Sequence, residues 1–200
     1  MQTGNVIGLI VMLEEQGQRS RSHAMPLDII RAQAQAIGLP VFMASSSWND
    51  YENEIYAVYL ETVVNANLLF LNTPVKVRFR PTTKDKAFGF WHLISEAADQ
   101  NNKDEDDRLP DLKRCERIRW VAWCITNAHQ AGFLYWENQR GRETHVVIWA
   151  EHLDFVVILA KRKTDLDEKY YLLKTAYCLR EHTKRKLRKE YESFHTFKKG

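Results

Sequence analysis

An α+β fold is predicted: an N-terminal βαβα segment, then helices packed on a four-stranded antiparallel sheet. Three observations carry it. Within residues 131–178, four apolar runs rich in Val, Ile, Tyr, Trp and Thr stand between short polar breaks: Phe133–Trp136, Thr144–Trp149, Phe155–Ala160 and Tyr170–Tyr177. Those residue types suit a pleated, half-buried surface, and breaks of hairpin length join them into a meander. Apolar residues recur at helical spacing on both sides of this region. Residues 6–64 alternate a short apolar run with a helical pattern twice, as parallel α/β units do.

The elements follow in chain order. Val6–Leu13 is a continuous apolar run, expected as a strand covered on both faces. Pro26–Gly38 reads as a helix, with Ile29, Ile30, Gln33 and Ala36 at helical spacing and Gly38 as its stop. Val41–Ser45 is a second strand. Asn49 or Asp50 is placed to cap a helix through Tyr51–Val64, with Ile55, Tyr59 and Val63 on one side. Val75–Arg80 alternates apolar and basic residues, as an edge strand or extended arm does, and Pro81 ends it. Thr83–Asp85 leads into a helix over Ala87–Ala98, with Phe88, Trp91 and Ile94 on its apolar side. Asp99–Pro110 is acidic and without periodicity, hence a loop. Asp111–Ala128 is a helix whose apolar side, from Leu112 to Val121, calls for the meander as its partner. After the strands, Leu179–Phe194 is a basic helix that docks through Leu187, Tyr191 and Phe194. Two parts are expected, 1–65 and 73–200.

Charge separates these parts. The chain carries +3 overall, yet residues 111–200 hold 19 Lys/Arg against 12 Asp/Glu, a balance of +7. Such an asymmetry favours an anionic partner for the C-terminal part. The three cysteines, Cys115, Cys124 and Cys178, are odd in number and lack metal-ligand spacing, so they read as reduced thiols of a cytoplasmic protein. The seven histidines are dispersed, and neither a GxSxG nor a Walker motif occurs. No metal and no cofactor is expected. Val6–Leu13 is short for a signal peptide and lacks a basic leader, and no apolar run approaches the ~20 residues of a membrane span.

Two resemblances bear on function. Residues 6–54 carry R-S-x-x-H at 19–23, R-A-Q-A-x-A-x-G-L-P at 31–40 and W-x-D-Y-E at 48–52. With the strand before them they resemble PP-loop ATP pyrophosphatases of the diphthine–ammonia ligase type. That family binds ATP through a Ser-Gly-Gly-x-Asp-Ser loop ahead of this strand. Here Met1–Asn5 stand in its place, so ATP-dependent amide ligation is not expected of this segment. The C-terminal part carries R-F-R-P-x-x-K-D-K-A-F-G-F at 78–90, E-R-I-R-W-V at 116–121, Y-W-E-N-Q-R-G-R-E-T-H-V-V-I-W at 135–149, V-I-L-A-K-R at 157–162 and Y-Y-L-L-K-T-A-Y at 170–177. These segments resemble the phage-associated nuclease domains of the barnase–EndoU–colicin–RelE-like (BECR) group. The resemblance implies a metal-independent endoribonuclease of phage or toxin type, RNA as its substrate, and an antitoxin or immunity protein as a partner. A non-catalytic RNA- or protein-binding module on the same sheet, and a degenerate PP-loop protein, are the alternatives.

Cleavage by 2′-hydroxyl attack needs a base, an acid and cations for the phosphate. His145 is the natural acid/base, because imidazole titrates near neutrality. Glu137 is placed as a base or to orient a cation. Arg142 and Lys161 are candidates to hold phosphate, and Thr175 to donate a hydrogen bond to it. Arg140, Arg162, Lys174, Lys184, Arg185, Lys186 and Lys189 are candidate contacts to the RNA backbone. Strand alternation limits this set: Glu143 and His145 share one face, Arg142 and Thr144 the other, and Lys174 and Thr175 point oppositely. His145, Lys161 and Thr175 therefore rank first. A histidine bonded to a neighbouring strand and a solvated basic helix would show the same residues.

Overall fold

The computed structural model describes residues 9–21, 23–45, 47–97 and 108–197. The chain divides into two compact units, Met1–Glu54 and Ile55–Gly200.

The first unit is a βαβ arrangement. Strand β1 (Leu9–Leu13) lies parallel to β2 (Val41–Ser45), joined through helix α1 (Leu27–Ala36). Gly38, at φ +68°, turns the chain out of α1, and the Leu39 amide donates back to the Ala34 carbonyl at 3.1 Å. Helix α2 (Trp48–Tyr59) begins at a reciprocal cap: the Asp50 amide donates to Ser47 Oγ (3.0 Å) and the Ser47 amide to Asp50 Oδ2 (3.3 Å). The cap is thus Ser47, two or three residues before the expected Asn49 or Asp50. The expectation that β1 is covered on both faces does not hold within this unit. Ile10 and Phe42 face each other across the ladder at 82% and 61% exposure. In the loop after β1, Ser20 is buried and its Oγ accepts the Met25 amide, so part of the R-S-x-x-H segment braces its own turn.

The second unit takes in the end of α2 and a π-helical turn over Leu60–Val64. Tyr59, fully buried, packs there on Phe90. Short strands β3 (Leu69–Phe70) and β4 (Thr73–Lys76) follow, then β5 (Thr82–Thr83), β6 (Lys86–Ala87) and helix α3 (Phe88–Ile94). Strands β7 (Ser95–Ala97) and β8 (Arg108–Pro110) pair antiparallel, so the ends of the expected helix and of the expected acidic loop are sheet instead. The rest of that loop lies outside the described residues. Buried Ser95 explains the exchange: its Oγ and carbonyl accept from Arg108 at 2.9 and 3.0 Å, and its carbonyl also from Arg114 at 2.8 Å. The single helix expected at 111–128 is two, α4 (Leu112–Cys115) and α5 (Ile118–Asn127), broken where Arg117 leaves helical backbone at φ −109°, ψ 15°. Asp111 caps α4 by accepting from the Lys113 and Arg114 amides.

The meander forms as read, with strands β9 (Phe133–Arg140), β10 (Glu143–Ala150), β11 (Phe155–Lys163) and β12 (Lys169–Cys178) in antiparallel order. It is not the whole sheet. β4 adds to β12 in parallel, with Val75 opposite Tyr171 and Lys76 opposite Leu172, and β3 pairs with β4. The sheet is therefore six-stranded and mixed, in the order β3-β4-β12-β11-β10-β9. Helix α6 (Glu181–Phe197) covers one face, where Leu187 is buried among Trp136, Val147, Trp149, Val156, Ile158 and Leu179. Helix α5 lies on the other, where Trp120 meets the edge of Phe155. Cys115 and Cys124 are buried, which pushes both thiols up to about 12 and leaves them protonated and inert at neutral pH. Among the described residues, no helix is long and apolar enough to cross a membrane.

Candidate functional site

The face under α6 continues past the end of the apolar cluster into a polar field. His145 stands opposite Asn138 on β9 and Ala160 on β11, and Glu143 stands opposite Arg140. Side chains directly opposite in a ladder share a face, so Asn138, Arg140, Glu143 and His145 project together.

The carboxylate of Glu143 is the centre of this field. His145 Nε2 lies 3.0 Å from its Oε2, Arg162 Nη2 bonds its Oε1, and Lys174 Nζ approaches Oε2 at 3.7 Å. These partners come from three strands. The hydrogen bond from His145, then that from Arg162, then the nearby charges of Lys174 and Arg162 pull the carboxyl down to about 2. Glu143 is thus ionised at any working pH. It is 36% exposed and Lys174 37%, so solvent and a ligand reach the cluster, whereas His145 at 14% is mostly enclosed. Its Nδ1 is buried and has no hydrogen-bond partner among the described residues. A second carboxylate comes from α6: Glu190 accepts from Asn138 Nδ2 at 2.6 Å and lies 3.7 Å from Arg140 Nη2. Tyr177, beneath the Arg114 guanidinium at 5.5 Å, is held protonated by burial, against the opposing pull of Arg140 and Arg114.

A β-bulge makes the arrangement possible. Between the pairs Ile158–Thr175 and Leu159–Leu173 the register shifts, leaving Lys174 as an extra residue of β12. Strict alternation sends Lys174 and Thr175 to opposite faces. At the bulge it lapses, and Lys174 reaches Glu143. Thr175 stays in the ladder and donates to the His92 carbonyl at 2.8 Å, a tie between β12 and α3.

The candidates ranked first from the sequence are not brought together. Lys161 follows Ala160, the residue that faces His145's side, so it projects from the opposite face of the sheet. There it pairs with Glu137 at 2.5 Å. His145 and Lys161 are separated by the sheet itself, and Glu137 goes with Lys161. Thr175 spends its hydroxyl on α3. Arg142 is exposed at the hairpin tip and makes no ion pair among the described residues. Of the expected backbone contacts, Arg162 and Lys174 reach Glu143, and Arg140 pairs with Glu190 beside it. Lys184 is held by Asp154 and Glu181, both at 2.6 Å, while Arg185, Lys186 and Lys189 are exposed along α6. Lys186 and Lys189 line a shallow groove of about 630 Å³ with Trp136, Asn138 and Glu190.

The residue missed by sequence reasoning is Glu143, with Asn138 and Glu190 behind it. Its signal was present: a carboxylate two positions before a histidine in a strand shares that histidine's face. Comparison with family models, curated proteins and solved structures gives no match for this chain. The chemistry of the site is therefore argued from its own geometry.

Proposed function

We propose that the Glu143 cluster is the active site of a metal-independent endoribonuclease. The observation that carries this reading is the convergence of His145, Arg162 and Lys174 on one ionised, accessible carboxylate. A carboxylate alone among cations is a poor structural device, since exposed ion pairs contribute little to stability. A base, an acid and two cations gathered by hydrogen bonds and an ion pair are what phosphodiester transesterification uses.

In this reading the scissile phosphate takes Arg162 and Lys174 away from Glu143. Losing those contacts, the carboxylate rises toward its ordinary range and becomes a stronger base. Glu143 removes the 2′-hydroxyl proton as that oxygen attacks phosphorus. The P–O5′ bond breaks, and protonated His145 delivers its proton to the leaving 5′-oxygen. The products are a 2′,3′-cyclic phosphate and a 5′-hydroxyl. Arg162 and Lys174 neutralise the charge that grows on the non-bridging oxygens, which is often the largest contribution.

The test is cleavage of a labelled RNA with excess chelator, with the ends identified by mass spectrometry. Wild type should yield cyclic phosphate ends, and His145→Ala should lose ~10²–10⁴-fold in rate at saturating RNA. An unchanged rate in His145→Ala would remove the histidine from the mechanism. Salt-dependent binding with no cleavage by any preparation would mean an RNA-binding module instead.

A further inference from the structure

Glu190 has no part in the mechanism above, yet it is the second carboxylate on the same face of the sheet. Its Oε2 accepts from Asn138 Nδ2 at 2.6 Å and lies 3.7 Å from Arg140 Nη2. Both partners share the face of the Glu143 cluster, because Asn138 opposes His145 and Arg140 opposes Glu143 in the β9–β10 ladder. The Asn138–Glu190 pair is therefore one strand away from the cluster. It also lines the groove of about 630 Å³ between β9 and α6. Trp136 and Asn138, two apart on β9, point to that face together. Lys186, Glu190 and Ser193 run along one flank of α6 at i+4 and i+3, beside Leu187 and Tyr191, which pack on the sheet. Trp136 and Phe194 make the apolar part of the lining. An apolar groove of this volume with a few convergent polar groups is the usual form of a small-ligand site.

What the pair can recognise follows from the hydrogen-bonding groups it leaves unused. Asn138 Nδ2 carries two protons and gives one to Glu190. Glu190 Oε1 has no hydrogen-bond or ion-pair partner among the described residues. A carboxylate beside an amide N–H offers two acceptors and a donor in a row. The Watson–Crick edge of guanine is the complement: N2–H and N1–H donate, and O6 accepts. Adenine, cytosine and uracil each present one donor group on that edge, so a carboxylate gains less from them. Arg140 offsets the charge of Glu190, which lets an anionic strand approach it.

We propose, resting on the ribonuclease reading above, that this groove takes the guanine base of a nucleotide whose phosphate sits at the Glu143 cluster. Glu190 accepts from N1–H and N2–H, and Asn138 donates to O6. Lys186 and Lys189, exposed in the same groove, hold phosphates further along the strand. The substrate class is RNA with an unpaired guanosine beside the scissile bond, since base pairing would occupy the edge that is read.

The experiment is isothermal titration calorimetry on the full chain with the 3′-monophosphates of guanosine, inosine, adenosine and uridine. Each fills one base position and one phosphate position, so the four differ in the base alone. The guanosine compound should bind about tenfold tighter than those of adenosine and uridine, within the discrimination that one bidentate pair supplies. Inosine keeps N1–H and O6 but lacks the N2 amine, and it should fall between. Glu190→Met keeps the length of the side chain and removes both acceptors, so it should bring all four within about twofold of one another. Asn138→Ala should narrow the preference for guanosine and leave the uridine compound within about twofold of wild type. Equal affinities in wild type, inosine as tight as guanosine, a preference that survives Glu190→Met, or no saturable binding would each overturn the proposal. Cleavage of unmodified RNA by wild type, measured in parallel, separates the two readings. A guanosine preference without cleavage removes the nuclease reading and leaves the base site standing. Cleavage with no guanosine preference removes the base site alone.

Discussion

Replacing Glu143 by Gln should strengthen RNA binding while abolishing cleavage. In the free protein the carboxylate occupies His145, Arg162 and Lys174, groups assigned here to the phosphate and the leaving oxygen. A phosphate must displace it, and it repels the phosphate as it goes. Glutamine keeps the shape and removes the charge. Two unit charges at 4 Å interact by ~1 kcal/mol in water and ~4 kcal/mol at an intermediate dielectric. Glu143 is a third exposed, so the lower figure applies, and ~1 kcal/mol corresponds to about fivefold tighter binding. The salt dependence should steepen by about 0.7, since one more cation exchanges its counter-ion for a phosphate.

The same substitution removes the proposed base, and the rate at saturating RNA should fall ~10²–10⁴-fold. Affinity is read by anisotropy on an uncleavable oligomer at several salt concentrations, and rate by single-turnover cleavage. The two readouts must move in opposite directions. A weaker complex with Glu143→Gln would mean that the carboxylate only orients Arg162 and Lys174 and that phosphate does not compete with it. An unchanged rate would exclude Glu143 as the base whatever the affinity does.

Glu143 also predicts a pH signature in stability. Its carboxyl lies lower in the folded chain than its ordinary 4.5, at about 2, so its stabilising contribution is present above the ordinary value and is lost as pH falls between those values. The difference in unfolding free energy between wild type and Glu143→Gln, no more than ~1 kcal/mol for an accessible group, should be constant above pH ~5 and shrink below it in urea titrations. Leu187→Ala should cost ~2–5 kcal/mol in urea unfolding, because Leu187 is 2% exposed on the sheet-facing side of α6 and its removal leaves a cavity against Trp136 and Trp149. On α6, Lys186→Gln with Lys189→Gln should weaken RNA binding and flatten its salt slope more than Lys184→Gln, whose ammonium is already held by Asp154 and Glu181.

The fold was legible where the signal was local and periodic. The meander, α1, β2 and α6 were placed to within a few residues, because period-two and period-3.6 apolar patterns are written in neighbouring residues. What could not be read depends on pairing across distance. The alternation of Val75–Arg80 announced a strand, but the strand is Thr73–Lys76 and residues 77–80 are not in it. β3 is two residues long, too short for a period, and β4 joins β12 in parallel without any turn to announce it. Ser95 ends α3 early because two arginines from later in the chain bind it, a fact absent from residues 87–98 themselves.

The site shows the same division, and the bulge shows its cause. Alternation along a strand is a sound rule, and it correctly put Glu143 with His145 and Arg142 elsewhere. It also separates Lys161 from His145 once the pairing of β10 with β11 is known: His145 opposes Ala160, so the next residue projects through the other face. The register, not the composition of the strand, decides which of two adjacent cations, Lys161 or Arg162, belongs to the cluster. Then the rule fails at one position. The extra residue of β12 turns Lys174 toward Glu143 while Thr175 keeps its place opposite Ile158. No residue type at 173–175 marks the bulge, since neither glycine nor proline occurs there. A bulge that adds a cation to a carboxylate two strands away is the kind of irregularity that sheets place beside functional sites. Restoring regular pairing by deleting Lys174 should therefore preserve the sheet and break the cluster. Far-ultraviolet circular dichroism should stay near wild type, while RNA binding weakens and its salt slope flattens by about 0.7. If the deletion unfolds the chain, Lys174→Met, which keeps the length of the strand, must show the same loss of salt slope; unchanged binding in that variant would mean that the bulge serves the packing of β12 alone.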